Sequence, residues 1–314
     1  MRVLVTGGAG FIGANLCRRL LLEPQVHVRV VDDLSTGNVS NLAGMAIDLI
    51  EASILDDDAL QRATVGCDAI VHLAAVPSVP RSITDPMKSH EANATGSLKV
   101  LESARRNGGV HVVLASSSSV YGANETLPKT EELQCLPMSP YAVSKLATEQ
   151  YAMAYAACYG LPVLPFRFFN VFGPLQAAGH AYAAVVPAFI DAALDGRPLQ
   201  IHGDGEQSRD FTFVGSVVEV LTGAVVRRVT ASPTNLAFGT RTTVNQLAEL
   251  LGDVLGSSLA IEYLPPRPGD VPHSQASAAR LSRLFEGTSP IGLRQGLAET
   301  VQWMGTHKSS SATS

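Results

Sequence analysis

Short β-branched runs alternate with stretches of helical period through the first half of the chain. The apolar runs are "RVLVT", "VHVRVVD", "AIDLIEA", "CDAIVHLA", "HVVLASS" and "LPVLPFRF", with helical patterns near residues 11–22, 56–64, 86–107 and 139–160 between them. Strands that read as near-continuous apolar runs are buried on both faces, and strand–helix alternation places them parallel. The pattern predicts an α/β fold, a Rossmann-type doubly wound parallel sheet. Its ligand crevice lies at the carboxyl ends of the strands, where the strand order switches. Beyond about residue 170 the regularity decays into Pro-, Gly- and polar-rich stretches such as "FGPLQAAGHAY", "GDGEQSRD" and "LPPRPGDVPHS". That composition predicts a smaller α+β C-terminal lobe over the mouth of the sheet. The boundaries are 1–169 for the first domain, 170–306 for the second, partly interwoven with it, and 307–314 ("HKSSSATS") for a disordered tail.

Composition narrows the function classes. Of 314 residues, 46% are hydrophobic and 16% charged, enough to bury a sizeable core. The net charge is −5 and the 23 basic residues are scattered, which argues against a nucleic-acid partner. No apolar run approaches the roughly 18–20 residues a membrane span needs. The apolar start is broken within a few positions, unlike a secretory signal. Cys17, Cys67, Cys135 and Cys158 lie far apart without CxxC spacing, as reduced thiols of a cytoplasmic protein would. The eight histidines lack ligand spacing, so no metal site is expected.

Candidate chemistry begins at "RVLVTGGAGFIGANL". Gly7, Gly10 and Gly13 follow a strand and lead into a helix. The first permits a tight turn, the second lets a pyrophosphate approach the backbone, and the third allows close helix–strand packing. Taken alone, the triplet is equally a plain strand-to-helix turn. The next strand ends in Asp32, 19 residues beyond Gly13, where an acid binds the adenosine ribose diol. A carboxylate there repels a 2′-phosphate and favours NAD over NADP; Asp33 reads equally as a loop carboxylate.

Tyr141 and Lys145 in "SPYAVSKLATEQY" share a helix face one turn apart. A phenol near pKa ~10 is a poor base at neutral pH. A neighbouring ammonium and a cationic nicotinamide would both favour the phenolate. Tyr141 then takes a proton from a sugar hydroxyl while hydride leaves for NAD. Upstream, "VVLASSSSVYG" brings serines to a strand's carboxyl end, in the crevice, where a hydroxyl can bond the same oxygen. By itself a YxxxK pair is common on surface helices, and strand-end serines often form turns.

Together, "TGGAGFIG", "DDLSTG", "HLAA", "ASSSSVYG", "YAVSK", "FRFFNVFGP", "GDGEQSRDF" and "RPGDVPHS" occur in an order that resembles the extended short-chain dehydrogenase/reductase family of nucleotide-sugar enzymes. The resemblance implies an NAD-binding domain followed by a smaller domain for a UDP-sugar, and a homodimer formed through the helices near 86–107 and 139–160. By matched position it implies Ser117 and Ser118 beside the base Tyr141, with Lys145 lowering its pKa and binding ribose. The implied cofactor shell is Gly7, Gly10, Phe11, Ile12, Gly13, Asp32, Asn38, Ile54, Leu73, Ala75 and Asn93. The implied substrate contacts are Val79, Phe169, Asn170, Val186, Gln200, Ile201, Arg209, Arg267, Asp270 and Ser274. Arginine forks at 209 and 267 suit a pyrophosphate.

The chain also departs from the family's patterns. Ser53 stands where an aspartate usually contacts adenine, and "FVGSVVEV" lacks two aspartates of "FVDDVV". In the family, dehydratases and decarboxylases carry an acid just after the catalytic Ser/Thr, because elimination needs an extra acid and base. Here the run is Ser116–Ser119 without one. That favours a 4-epimerase of UDP-glucose and UDP-galactose, in which NAD is regenerated and stays tightly bound. Ser274, at a gate beside the sugar's C2 substituent, leaves room for N-acetyl forms as well. UDP-glucuronate ranks lower, since Ala177 and Ala188 stand where arginines would, with His180 the one titratable group nearby. A dehydratase or decarboxylase, or a silent NAD sensor, are the remaining readings.

Overall fold

A computed structural model describes residues 1–178, 184–266 and 271–311. Six apolar runs form parallel strands: β1 (Arg2–Thr6), β2 (His27–Asp32), β3 (Ile47–Glu51), β4 (Ala69–His72), β5 (His111–Ser117) and β6 (Val163–Phe168). Their order across the sheet is β6-β5-β4-β1-β2-β3, and a seventh strand, Thr234–Leu236, pairs parallel with β6. The order reverses between β1 and β4, so a crevice opens beyond their carboxyl ends. The central strand β4 is buried at every position, as a strand covered by helices on both faces must be.

The covering helices of the first half are α1 (Phe11–Leu20), α2 (Asp57–Thr64), α3 (Val79–Thr84), α4 (Pro86–His90), α5 (Gly96–Arg106) and α6 (Pro140–Tyr159). The pattern at 86–107 predicts one helix; the structure breaks it into α4, a wide π-type turn at Glu91–Thr95, and α5. An extra residue per turn there rotates Asn93 inward, where it is fully buried. The ends of α6 follow local rules: Ser139 accepts the Ala142 N–H, Pro140 occupies the first turn, and Gly160 closes the helix at φ +65°.

The second half contributes α7 (Val185–Leu194), α8 (Val214–Val226), α9 (Val244–Leu255), α10 (Ala279–Leu284) and α11 (Leu293–Ser311). Six of its strands form two-stranded pairs: Leu199–His202 with Ile261–Leu264, Val171–Phe172 with Thr212–Phe213, and Ser208–Arg209 with Thr242–Thr243. The strand Thr234–Leu236 returns to the large sheet, and α8 packs on α1, so one apolar core runs through both halves. Residues 307–311 of the segment expected to be a disordered tail continue α11 to Ser311, and residues 312–314 lie outside the described residues. Lys308 pairs with Asp191 and Asp195, and the His307 ring lies 4.4 Å from that of Trp303. No helix among the described residues is long and apolar enough to cross a membrane.

Candidate active site

The glycine loop sits at the carboxyl end of β1. Gly7 has φ +72°, and a Cβ there would lie 2.7 Å from the Ala74 nitrogen, so the loop packs directly on the chain following β4. A Cβ on Gly13 would stand 2.1 Å from the Gly7 oxygen, which fixes the approach of α1 to the turn. Gly10 is different. Its Cβ would meet the Gly7 oxygen at 3.3 Å and nothing else within 4 Å, and α1 begins there with no side-chain cap. Open space in front of an uncapped helix start fits a pyrophosphate. Phe11 and Ile12 flank it in the first turn, half-buried.

Asp32 ends β2 beside this loop, and its two oxygens accept from the backbone N–H groups of Ala9 and Leu34 at 2.8 and 2.9 Å. Burial raises its pKa against those two hydrogen bonds. Asn38 is exposed and accepts from Ser40, while its N–H donates to the Ala9 carbonyl. Leu73 and Ala75 lie half-buried in the loop after β4. Ser53 accepts from Leu55 within its own turn. Ile54, expected to touch the cofactor, is a core side chain packed beneath Gly96.

Three successive residues of β5 meet three residues of α6 spaced one turn apart. Lys145 Nζ donates to the Ala115 carbonyl at 3.0 Å, Ser116 Oγ donates to Glu149 Oε1 at 2.5 Å, and the Ser117 hydroxyl lies close enough to the Tyr141 phenol to favour its phenolate. Ser117 Oγ accepts from the N–H and the hydroxyl of Ser119, which leaves its own proton to donate elsewhere. Ser118 is half-buried at the start of the turn that follows. Lys145 is buried, and that burial lowers its pKa to about 8. Tyr141 departs from the expected direction: burial raises its pKa, and the Ser117 hydroxyl offsets this only in part. The ammonium nearby is committed to a carbonyl rather than to the phenol.

Behind these residues lie polar groups that the sequence reading did not single out. His72 on β4 bonds Thr6 at 2.8 Å and Ser97 at 2.9 Å, and burial, with Lys145 adding, lowers its pKa to about 3. Ser97 bonds Thr148 of α6. Asn93 holds the backbone of Val76 from both sides and donates to Ser144, so its amide is bonded within the protein. Glu149, with no exposed surface, is gripped by Arg167 of β6 through Nε and Nη2 at 2.9 and 2.8 Å. A charged side chain inside the apolar run "LPVLPFRF" was the visible signal for that pair.

In the second half, Arg209 donates to the carbonyls of Ser208 and Pro272, and the Ser274 N–H donates to Ser208. Asp210, also missed though it lies within "SRDF", is fully buried. It accepts from Gly239, Thr240 and Ala276 and so ties three segments of this lobe together. Asn170 is exposed at φ +28°, a conformation asparagine tolerates. Val79 is exposed at the start of α3. A cavity of about 750 Å³ is lined by His202, Gln207, Tyr263 and Pro272 among others. Three expected substrate contacts differ from expectation. Phe169, Val186 and Ile201 are at most 2% exposed, so their side chains belong to the core and only backbone is left to meet a ligand. Gln200 is exposed and bonds Glu262. Arg267, Asp270 and His180 lie outside the described residues.

Comparison with known proteins agrees with this arrangement. The family model described as "NAD dependent epimerase/dehydratase family" matches residues 3–236. A UDP-glucose 4-epimerase of Mycolicibacterium smegmatis is 36% identical over 309 residues, covering 96% of this chain and 98% of the relative. The solved UDP-N-acetylglucosamine 4-epimerase of Methanobrevibacter ruminantium, in complex with UDP-N-acetylmuramic acid, superimposes with a TM-score of 0.92 at 36% identity over 98% of each chain. The UDP-glucose 4-epimerase of Thermotoga maritima with UDP-glucose gives a TM-score of 0.91 at 35% identity, over 98% of this chain and all of that one. This chain belongs to the NAD-dependent epimerase/dehydratase family of the extended short-chain dehydrogenases/reductases, and its cofactor is NAD.

Proposed function

We propose that the protein inverts C4 of a UDP-hexose, interconverting UDP-glucose and UDP-galactose and, through the space beside Ser274, their N-acetyl forms. The observation that carries this reading is the Tyr141–Ser117 pair beside Lys145, in a serine run with no acid of its own. The carboxylate bonded to that run, Glu149, is buried and held by Arg167, so it is not available for an elimination. NAD, when bound, accepts a hydride from C4 and later returns it. Tyr141 takes the proton of the C4 hydroxyl, Ser117 donates to the same oxygen, and Lys145 binds the nicotinamide ribose. The 4-keto sugar turns over in the site, and Tyr141 gives the proton back when the hydride arrives on the opposite face.

Gly7, Gly10, Gly13, Phe11 and Ile12 would carry the pyrophosphate and Asp32 the adenosine ribose, with Asn38, Leu73 and Ala75 along the edges. Asn93 supports this shell by holding Val76. Arg209, Asn170, Val79, Gln200 and Ser274 would face the UDP-sugar. Exposed Ile83, Met87, Val143 and Tyr151 on α3, α4 and α6 suit a homodimer through these helices, and four unbridged cysteines suit the cytoplasm. The test is incubation with a panel of UDP-sugars without added cofactor, read by mass and NMR. Unchanged mass with inverted C4 is expected; loss of water or carbon dioxide overturns the reading. Tyr141→Phe should lower kcat about 10²–10⁴-fold while retaining NAD; parental turnover removes Tyr141 as the base.

A further inference from the structure

The contacts between α6 and β5 form a ladder of three rungs, and the proposed chemistry uses only two. Tyr141, Lys145 and Glu149 are spaced four residues apart and so share one face of α6. Lys145 and Glu149 hold Ala115 and Ser116 by hydrogen bonds, and Tyr141 lies beside Ser117, the next residue at the end of β5. Ser116 and Ser117 are joined by one peptide, and Ser117 is the last residue of the strand, so a bond that fixes Ser116 also limits the directions open to Ser117. Glu149 itself cannot shift. Arg167, registered beside Ser116 on the neighbouring strand, grips both of its oxygens and also donates to Tyr121, whose hydroxyl donates to Asn235 at 2.7 Å.

We infer that Glu149 and Ser116 are positioning residues for the reaction: the Arg167-held carboxylate anchors Ser116 and thereby aims the Ser117 hydroxyl at Tyr141. The inference rests on the proposed pairing of Ser117 with the base. Arg167 gives each carboxylate oxygen one bond and leaves further acceptor sites, and the Ser116 hydroxyl takes one of them on Oε1. The short bond from Ser116 is an addition whose geometric effect falls one residue away, on Ser117. The charged groups around this end of α6 are Lys145 and Glu149 on the helix and Arg167 on β6, while His72 on β4 is held neutral.

The experiment is a cycle of Ser116→Ala, Ser117→Ala and the double variant in the full-length protein with its NAD. Ser116→Ala removes one buried oxygen and leaves the Glu149–Arg167 pair intact, so folding and NAD content serve as controls. Expected is a fall in kcat of about tenfold with KM within about twofold. The acidic limb of the kcat/KM–pH profile, which reports the free enzyme, should move up by about 0.5–1 unit, because the phenolate loses a donor. In the Ser117→Ala background, adding Ser116→Ala should change kcat by less than about twofold, since its effect travels through Ser117. Fully additive losses, or a pH limb that does not move, overturn the inference while leaving the base in place. Parental kcat in Ser117→Ala overturns the pairing of Ser117 with the base, and this inference with it.

Discussion

The two walls of the crevice are built differently. The cofactor wall rests on a seven-stranded parallel sheet, and its polar groups are buried and mutually bonded: Asp32 to Ala9, His72 to Thr6 and Ser97, and Asn93 to Val76. The substrate wall is assembled from two-stranded pairs and straps, tied at a few points such as Asp210 and the Ser208 carbonyl. A wall that must hold one invariant dinucleotide gains from rigidity, because atoms placed in advance cost little ordering entropy on binding. A wall of short segments can change its contacts without disturbing the large sheet. That contrast matches relatives of similar fold that are named for different UDP-sugars.

The largest effect should come from the rigid wall. In Gly13→Ala the new methyl meets the Gly7 oxygen at 2.1 Å and the Gly8 Cα at 2.7 Å, both backbone atoms that cannot swing aside. A loss of about 1–3 kcal/mol in stability is expected from the overpacking. NAD content after purification should fall below a tenth of the parent's. Thermal unfolding and cofactor release by acid precipitation measure both, and a variant that keeps its NAD would show that this wall is less rigid than argued.

The same contrast explains what was legible in the chain. The six strands of the first half are continuous apolar runs, so pattern alone located them, and the fixed spacings of Tyr141, Lys145, Asp32 and the glycines made those residues candidates. The strand Thr234–Leu236 is three residues long with asparagine at its centre, too short for any period to mark it. The π-type turn at Glu91–Thr95 sits inside an unbroken helical pattern, because one extra residue per turn leaves no mark in composition. Glu149 reads as the solvated side of a helix until Arg167 is seen on the strand beneath it. On the substrate wall, Phe169, Val186 and Ile201 were assigned by position, but short elements there spend their apolar side chains on the core.

A middle-sized effect should isolate the substrate wall. Asp210 accepts three hydrogen bonds, from the backbone of Gly239 and Ala276 and from the Thr240 hydroxyl. In Asp210→Asn an amide group must replace one acceptor and face a donor, which loosens the straps around Arg209. KM for the UDP-sugar should rise about tenfold, with NAD content and the kcat–pH profile unchanged. Steady-state kinetics with a cofactor assay decides it. A fall in kcat at constant KM would mean that the two walls are not separable.

The smallest effect concerns acid, and between pH 6.5 and 5 it falls on the buried histidines of the large sheet. His72 has its folded pKa lowered to about 3 by burial, so below pH 6.5 the unfolded chain binds a proton that the folded chain refuses. Its stabilising contribution is therefore full above pH 6.5 and falls by roughly 1.4 kcal/mol for each unit of acidification below it. His111, at the start of β5, is shifted downward by burial and acts in the same direction. Asp210 on the substrate wall and Asp32 on the cofactor wall are both shifted upward by burial, and a raised carboxylate favours the folded state as the pH falls. Between pH 6.5 and 5, losses should thus arise from the large sheet. Urea unfolding at the two pH values should show the parent losing roughly 2 kcal/mol through His72, and His72→Gln should lose correspondingly less, whatever its stability at pH 7. Equal losses in parent and variant would place the acid sensitivity elsewhere and remove His72 from the account of the rigid wall.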